Sequence, residues 1–127
     1  MRYKSYKDLI VWQKSMDLTQ NVYDYTELLP KEELFGLSSQ MRRCALSIPS
    51  NIAEGYGRCS DKEFIRFLYI ASGSLAELET QMLLAVRLKY YNEEQLQALF
   101  DLCKEIGKLL NALIARIKNE EIGLKED

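Results

Sequence analysis

The stretch that decides the fold is residues 60–88, SDKEFIRFLYIASGSLAELETQMLLAVRL. Its apolar residues recur every three or four positions, which is the period of an amphipathic α-helix. This stripe comprises Phe64, Phe67 or Leu68, Ala71, Leu75, Leu78, Met82, Ala85, and Leu88 or Val86. Ser60 and Glu63 have the spacing of a capping box, in which each side chain accepts from the other's backbone N–H. The pattern predicts a helix of about 30 residues and about 45 Å, from Ser60 to Lys89 or Tyr90.

The same period recurs on both sides of this segment. A helix over residues 7–28, with Ser5 as its N-cap, would bury Leu9, Trp12, Met16, Thr19, Val22 or Tyr23, and Thr26. A helix over residues 92–118 would bury Leu96, Leu99 or Phe100, Cys103, Ile106, Leu110, Leu113 and Ile117. Asn92 and Gln95 give it a second capping box.

The second helix is predicted over residues 31–56, after Pro30. Its stripe is Leu34, Leu37, Met41, Ala45 or Cys44, Ile48 and Ile52. Pro49 lies inside it, and a mid-helix proline removes a hydrogen bond and clashes with the preceding turn. We therefore expect a kink, and an end at Gly55 and Gly57.

Four long helices with short links favour an all-α fold, an antiparallel up-down four-helix bundle with a proline-kinked second helix. Residues 1–118 would form this single domain. The segment 119–127, NEEIGLKED, is charged and loses the apolar period, so it is predicted to be a frayed C-terminal tail.

Composition argues against an enzyme. The 127-residue chain is 47% hydrophobic and 28% charged, with a net charge of −2 and no histidine, the commonest general base and metal ligand. Cys44, Cys59 and Cys103 do not form metal or redox spacings, and we expect Cys44 and Cys103 in or near the core as reduced thiols. We predict no catalytic residue, cofactor, metal or small-molecule substrate. With no leader or spanning segment visible, a cytoplasmic location away from membranes is expected.

A polar stripe runs along the predicted second helix and can be interpreted in more than one way. Arg43, Ser47, Ser50 or Asn51, and Glu54 lie three or four residues apart, while the third helix carries Gly73 between serines, followed by Glu77 and Glu79. One interpretation is a structural network in which Arg43 or Arg42 pairs with these glutamates between helices or subunits. Glycine in mid-helix costs roughly 1 kcal/mol, so Gly73 is expected to permit close packing against the second helix or another subunit.

The second interpretation is anion binding. A basic set clustered around the second-to-third helix turn would hold phosphates: Arg42, Arg43, Arg58, Lys62 and Arg66. The third, catalysis by paired carboxylates as in di-iron bundles, lacks the Glu-x-x-His pairs which that chemistry needs.

Three segments carry a family resemblance: GLSSQMRRCALSIPSNIAEGYGR at 36–58, EFIRFLYIASGSLAELETQM at 63–82 and LIVWQKSMDLTQNVY at 9–23. Over about residues 6–118 the chain resembles the four-helix bundle proteins encoded by intervening sequences in bacterial 23S ribosomal RNA genes. It is also similar to the accessory variability determinant of diversity-generating retroelements.

The resemblance implies a ring-like homopentamer without enzymatic activity. In the retroelement branch a basic surface of the pentamer contacts RNA and the reverse transcriptase, and Arg42, Arg43 and Arg58 match family positions. Unlike that branch, this chain is net acidic. Two functional hypotheses stay open: an oligomer that binds RNA or a ribonucleoprotein through local basic patches, and a protein–protein scaffold without nucleic acid.

Overall fold

A computed structural model describes the backbone of residues 5–126 and the side chains of residues 5–120. Four α-helices follow one another: α1 Ile10–Thr26, α2 Leu37–Tyr56, α3 Asp61–Arg87 and α4 Glu93–Glu126. Short 3₁₀ helices at Tyr6–Asp8 and Lys31–Glu33 precede α1 and α2. Within residues 5–126 there is no strand. The predicted all-α four-helix bundle is confirmed.

Each helix packs against two others, in the cyclic order α1, α2, α3, α4 and back to α1. Along α2, Cys44 and Ser47 contact Glu77 and Ser74 of α3, so the partner number falls as the α2 number rises. These two helices therefore run in opposite directions. The up-down order of the whole bundle and the kink at Pro49 stay predictions; Pro49 itself is buried within a helix that continues past it.

The core takes residues from all four helices, as the apolar stripes predict. Its fully buried large side chains are Leu18, Met41, Ile48, Ile52, Leu68, Leu78, Met82, Leu96, Leu99, Ile106, Leu110 and Ile117. Cys44 and Cys103 are buried, as expected, whereas Cys59 is exposed. Leu88, offered as one end of the α3 stripe, is exposed because α3 ends at Arg87.

The stripe predicted for α1 is confirmed at Leu9, Thr19, Val22 and Thr26 but is wrong at Met16, which is 43% exposed. Val11, Ser15 and Leu18 are buried in addition. Ser15 takes a core position that a search for apolar residues does not find. Its hydroxyl donates to the Val11 carbonyl at 2.6 Å, which lets a serine enter the core without an unsatisfied group.

Two helix starts differ from the prediction. Ser5 caps the first 3₁₀ helix by accepting from the Lys7 N–H, and α1 begins only at Ile10. α2 begins at Leu37 instead of residue 31, because Gly36 adopts a non-helical backbone (φ −109°, ψ −111°). The Glu33 carboxylate then accepts from the Leu37 N–H at 3.0 Å and substitutes for a side-chain cap. Leu34 is consequently exposed.

The two predicted capping boxes behave differently. Asn92 and Gln95 satisfy each other's backbone N–H groups, both at 2.8 Å. Ser60 accepts from the Glu63 N–H at 3.2 Å, but the Glu63 carboxylate pairs with Arg66. α4 continues to Glu126, and the side chains of residues 121–127 lie outside the described part, so the frayed tail stays a prediction.

Candidate functional site

A polar seam closes the outer edge of the α2–α3 contact. The Ser47 and Ser74 hydroxyls are 2.8 Å apart, and Asn51 Nδ2 donates to the Ser47 carbonyl at 2.8 Å and to its hydroxyl at 2.9 Å. Sequence spacing predicted a polar network of Ser47 and Asn51 with arginine. In the structure they bond to each other, and Ser47 bonds to Ser74.

The seam continues one turn along at Cys44. Its thiol donates to Glu77 Oε2 at 3.1 Å, and Gln81 Nε2 donates to Cys44 Sγ at 3.3 Å. Burial, and then the bond to Glu77, raise the pKa of the Cys44 thiol, so it stays protonated near neutral pH. Gln81 Oε1 is buried and has no hydrogen-bond partner among the described residues. Glu77 thus interacts with a thiol, a weak donor, where an arginine had been predicted.

Arg42 links α2 to α1. Its Nε donates to the Thr26 hydroxyl at 2.8 Å, and its guanidinium lies 4.8 Å from the ring centre of Tyr23. Both partners belong to α1, so Arg42 fastens α1 to α2. Sequence periodicity missed this pair because Thr26 and Arg42 are sixteen residues apart.

Arg43 points into solvent on the other side of that turn. It is exposed, and among residues 5–120 it has no hydrogen-bond or ion-pair partner. Glu79, the other glutamate assigned to the network, lies near Cys103. Burial first, and the Glu79 charge second, raise the pKa of Cys103 to about 12. The predicted pairing of Arg43 with Glu54 or Glu79 is therefore not made within the described chain.

The basic residues predicted to cluster form two separate groups. Arg58 and Arg66 lie together at the α2–α3 turn, with guanidinium carbons 4.9 Å and 4.6 Å from the ring centre of Phe67. Arg42 and Arg43 lie about 20 Å away along α2, at 1.5 Å per residue. Clustering of all five basic residues around the turn is wrong, because α2 is a continuous helix between them.

Acidic neighbours balance the charge at the turn. Arg58 pairs with Glu54 and Arg66 with Glu63, each at 2.9 Å, and all four side chains are solvent-accessible. The bond from Arg66 lowers the pKa of Glu63 below its usual value. Lys62 is exposed beside them. Exposed pairs of this kind contribute about 0–1 kcal/mol each.

Close packing occurs at Gly55 and not at Gly73, where the sequence predicted it; α2 continues through Gly55 to Tyr56, with Gly57 at its C-cap. A Cβ on Gly73 would meet no heavy atom within 4 Å, so Gly73 does not pack against α2. A Cβ on Gly55 would lie 2.5 Å from Phe67 Cβ, so α2 and α3 approach each other closely here. Gly73 instead lies in the open on the outer face of α3, on a stripe with exposed Ile70 and Leu84.

Among residues 5–120, whose side chains are described, no three His, Cys, Asp or Glu side chains come together in a way that could hold a metal ion. A groove of about 240 Å³ between α1 and α4 is mainly lined by apolar residues, including Leu9, Val11 and Leu113. No helix in this part is long and apolar enough to cross a membrane.

Comparison with protein families adds a decisive observation. The family model for the 23S rRNA-intervening sequence protein matches residues 7–112, which include α1, α2, α3 and the first half of α4. The chain belongs to this family. The matched residues include those of the polar seam, of the basic turn and of the exposed face of α3. No match was found among curated proteins.

A solved structure supports the family's fold. The chain is similar, at 30% identity and a TM-score of 0.77, to a crystal structure from Bacteroides thetaiotaomicron, described as a protein of unknown function from the S23 ribosomal protein family. The similarity covers 83% of this chain and 98% of the other. Neither of these two matches names an activity.

Proposed function

We propose that this protein is a non-enzymatic helical bundle that assembles with copies of itself and acts as a scaffold. The observation that carries the proposal is the outer face of α3. Ile70 and Leu84 are 40% and 46% exposed there, beside Gly73. They share one side of α3 but lie about 21 Å apart, with exposed Glu77 and Thr80 between them, so the stripe is of mixed polarity. Large apolar side chains left exposed on one side of a helix favour an interaction surface there.

The thiols support a role without catalysis. The pKa values of Cys44 and Cys103 are raised by burial, which disfavours the reactive thiolate. The glutamates at the basic turn are engaged by arginines, and the chain lacks histidine. The family resemblance implies a pentamer, and five copies is the stoichiometry we propose.

Light scattering after size exclusion tests the assembly. We expect a mass that corresponds to several chains and falls on dilution. Leu84→Glu should shift the mass towards the monomer, because it places a charge on the stripe. Leu34→Glu is the matched control, since Leu34 is similarly exposed but lies in the α1–α2 link. A wild-type monomer at high concentration, or equal effects of both variants, would contradict the proposal.

RNA binding is a second candidate, favoured by the turn before α3. Arg58, Lys62 and Arg66 are exposed within two turns of each other at the start of a long helix, whose N-terminus attracts anions. The paired glutamates weaken this site in one copy. Repetition around an oligomer would multiply the phosphate contacts.

A titration of structured RNA at about 50 and about 200 mM salt tests this candidate. Binding should weaken steeply with salt, and Arg58→Ala with Arg66→Ala should reduce both the affinity and the salt slope. Lys104→Ala with Lys108→Ala, two exposed lysines of α4, is the control. Absence of binding at the lower salt, or an equal effect of the control, would leave the scaffold as the remaining function.

A further inference from the structure

Two tyrosines join the α1–α2 connection to the α3–α4 connection. The Tyr90 hydroxyl donates to Glu33 Oε2 at 2.8 Å, and the Tyr91 hydroxyl donates to the Tyr25 carbonyl. Both connections therefore lie at the same end of the bundle. We call this end the tip; it comprises residues 27–36 and 87–94.

The tip leaves several large apolar side chains in solvent. Phe35 is 92% exposed, more than any other large apolar side chain among residues 5–120. Leu28, Leu34 and Leu88 are about half exposed or more. Single exposed apolar residues are ordinary on a protein surface, but several at one place favour an interaction surface.

Hydrogen bonds hold Phe35 in this exposed position. The Glu33 carboxylate accepts from the Leu37 N–H at 3.0 Å, in addition to its bond from the tyrosine of the other connection. A Cβ on Gly36 would lie 2.7 Å from Glu33 Oε1 and would push the carboxylate away from this position. Leu34 and Phe35 lie between these two fixed residues, so their exposure is part of the fold.

The charged side chains of the tip are mostly carboxylates. Including Glu33, the tip has five acidic and three basic side chains. Within residues 5–120 four of the acidic ones have no ion pair or side-chain hydrogen bond: Glu27, Glu32, Glu93 and Glu94. The basic ones are Lys31, Arg87 and Lys89. The excess of carboxylates favours a partner that carries positive charge.

A recess in the tip suits a cationic side chain. It has a volume of about 420 Å³, and its lining includes Tyr90, Tyr91 and Glu93. Aromatic rings and a carboxylate are groups that bind an ammonium or a guanidinium. Lys89 is the one basic residue that lines it within the described part of the chain.

We propose that the tip docks a basic amphipathic helix of another protein, with Phe35 as the apolar anchor and the carboxylates opposite lysines or arginines. Buried aromatic side chains dominate the binding energy of many protein interfaces. Residues 5–126 contain no strand, so no sheet edge within them could take an added strand, and a helix docks through its side chains.

The charge of the tip disfavours other occupants. Anionic lipid surfaces and nucleic acids carry the same sign of charge as the carboxylates. A second copy docked tip to tip would place like charges opposite each other. The inference gives the proposed scaffold a class of partner and rests on that proposal in this respect. It does not depend on self-assembly, because the tip includes neither Ile70 nor Leu84.

A peptide titration tests the docking. The probe is a synthetic peptide of about 18 residues, or about five helical turns, with leucines on one face and lysines on the other. The comparison peptides have glutamate in place of lysine, or the same residues in scrambled order. We expect the lysine peptide to bind at least about tenfold more tightly than either comparison peptide. Equal binding of the three peptides overturns the inference.

Substitution of the anchor locates the binding. Phe35→Ser should weaken binding of the lysine peptide at least about tenfold, and circular dichroism should show unchanged helix content because Phe35 is exposed. Ile10→Ser is the matched control, since Ile10 is also well exposed but lies at the start of α1, at the other end of the bundle. Equal effects of the two variants overturn the inference.

Neutralising the carboxylates tests the charge. Glu27→Gln with Glu32→Gln should weaken binding of the lysine peptide and reduce its dependence on salt. Asp17→Asn with Asp101→Asn, two exposed acids on the sides of the helices, is the control and should bind like the wild type. Equal effects of the two double variants show that the charge of the tip is not recognised, which overturns the inference.

Two measurements separate the other occupants. Vesicles of phosphatidylcholine with phosphatidylserine should not bind the wild type, and light scattering should give the same mass for Phe35→Ser as for the wild type. Vesicle binding that Phe35→Ser abolishes would assign the tip to a lipid surface, and a lower mass would assign it to a second copy. Either result overturns the inference. A wild-type monomer that binds the lysine peptide through Phe35 overturns self-assembly alone.

Discussion

The Thr19 hydroxyl on α1 shares its one proton between two carbonyls, that of Ala45 on α2 at 3.1 Å and that of Ser15 on its own helix at 2.8 Å. Ala45 is four residues before Pro49, which has no N–H to complete the helical bond to that carbonyl. The neighbouring helix thus supplies the donor that proline removes. Thr19 is itself buried.

We predict that Thr19→Val destabilises the fold by about 1–3 kcal/mol, because it leaves the buried Ala45 carbonyl without a donor. The shape of the side chain is retained. Urea unfolding measures the change. In the Pro49→Ala background the loss should shrink, because the substituted residue regains a backbone N–H that can donate to the Ala45 carbonyl. An equal loss of stability in both backgrounds would show that the hydrogen bond between the Thr19 hydroxyl and the Ala45 carbonyl does not contribute to stability.

Gly55→Ala is predicted to destabilise the fold by about 1–3 kcal/mol, because the added methyl group would overlap Phe67 Cβ, which is fixed to the α3 backbone. Gly73→Ala is the matched control. Open space surrounds Gly73, and alanine favours a helix, so this variant should gain about 0.5–1 kcal/mol. Because self-assembly makes the apparent stability depend on protein concentration, unfolding is measured at two concentrations to separate the stability of the single chain from that of the assembly. Similar effects of the two variants would contradict the assigned packing.

Glu33 links the start of α2 to the α3–α4 connection. Its carboxylate accepts from the Leu37 N–H and, at 2.8 Å, from the Tyr90 hydroxyl, and these bonds lower the pKa of Glu33 from 4.5. A carboxyl group whose pKa is lower in the folded protein than in the unfolded chain stabilises the fold at pH values above its unfolded-state pKa. This contribution is lost as the pH falls through its folded-state pKa.

Glu33→Gln should therefore lower the urea midpoint most near neutral pH, and the penalty should shrink as the pH falls through the folded-state pKa of Glu33. Glu32→Gln, an exposed neighbour, is the control. A penalty for Glu33→Gln that is independent of pH would mean that the charge of Glu33 does not contribute.

The reciprocal box at the start of α4 gives a simpler test. Asn92 Oδ1 accepts from the Gln95 N–H, and Gln95 Oε1 accepts from the Asn92 N–H. Asn92→Ala should cost about 1 kcal/mol by urea unfolding, since α4 loses an N-terminal acceptor. Asn92→Ser, which retains a capping oxygen, should recover most of it. Equal losses for serine and alanine would show that the box adds no stability.

The number and order of the helices could be predicted from the sequence, because a helix that packs on one side repeats its apolar residues at 3.6 positions. α3 and α4 follow this pattern closely. α1 does not, since Ser15 bonds within its own helix and enters the core. The boundary at Leu37 was missed because the acceptor for its N–H belongs to Glu33, outside the helix.

The candidate surface was harder to predict than the fold. Spacing along α2 correctly grouped Arg43, Ser47 and Asn51 on one side, but it could not identify their partners. Ser74, Cys44 and Thr26 are supplied by tertiary contacts with residues sixteen to thirty-three positions away. The basic residues between Arg42 and Arg66 suggested one cluster because they are close in sequence. In the structure they form two groups, since most of α2 lies between Arg43 and Arg58.

By itself, the sequence determined four amphipathic helices, their caps at Ser60 and Asn92, and the family. These features depend on local periodicity and on hydrogen bonds between residues close in the chain. Only the tertiary structure decided that Arg42 contacts α1, that Gly55 and not Gly73 is a point of close approach, and that Glu77 accepts from Cys44 instead of pairing with Arg43. Such outcomes depend on which atoms of distant segments meet, and three-dimensional packing alone fixes those distances.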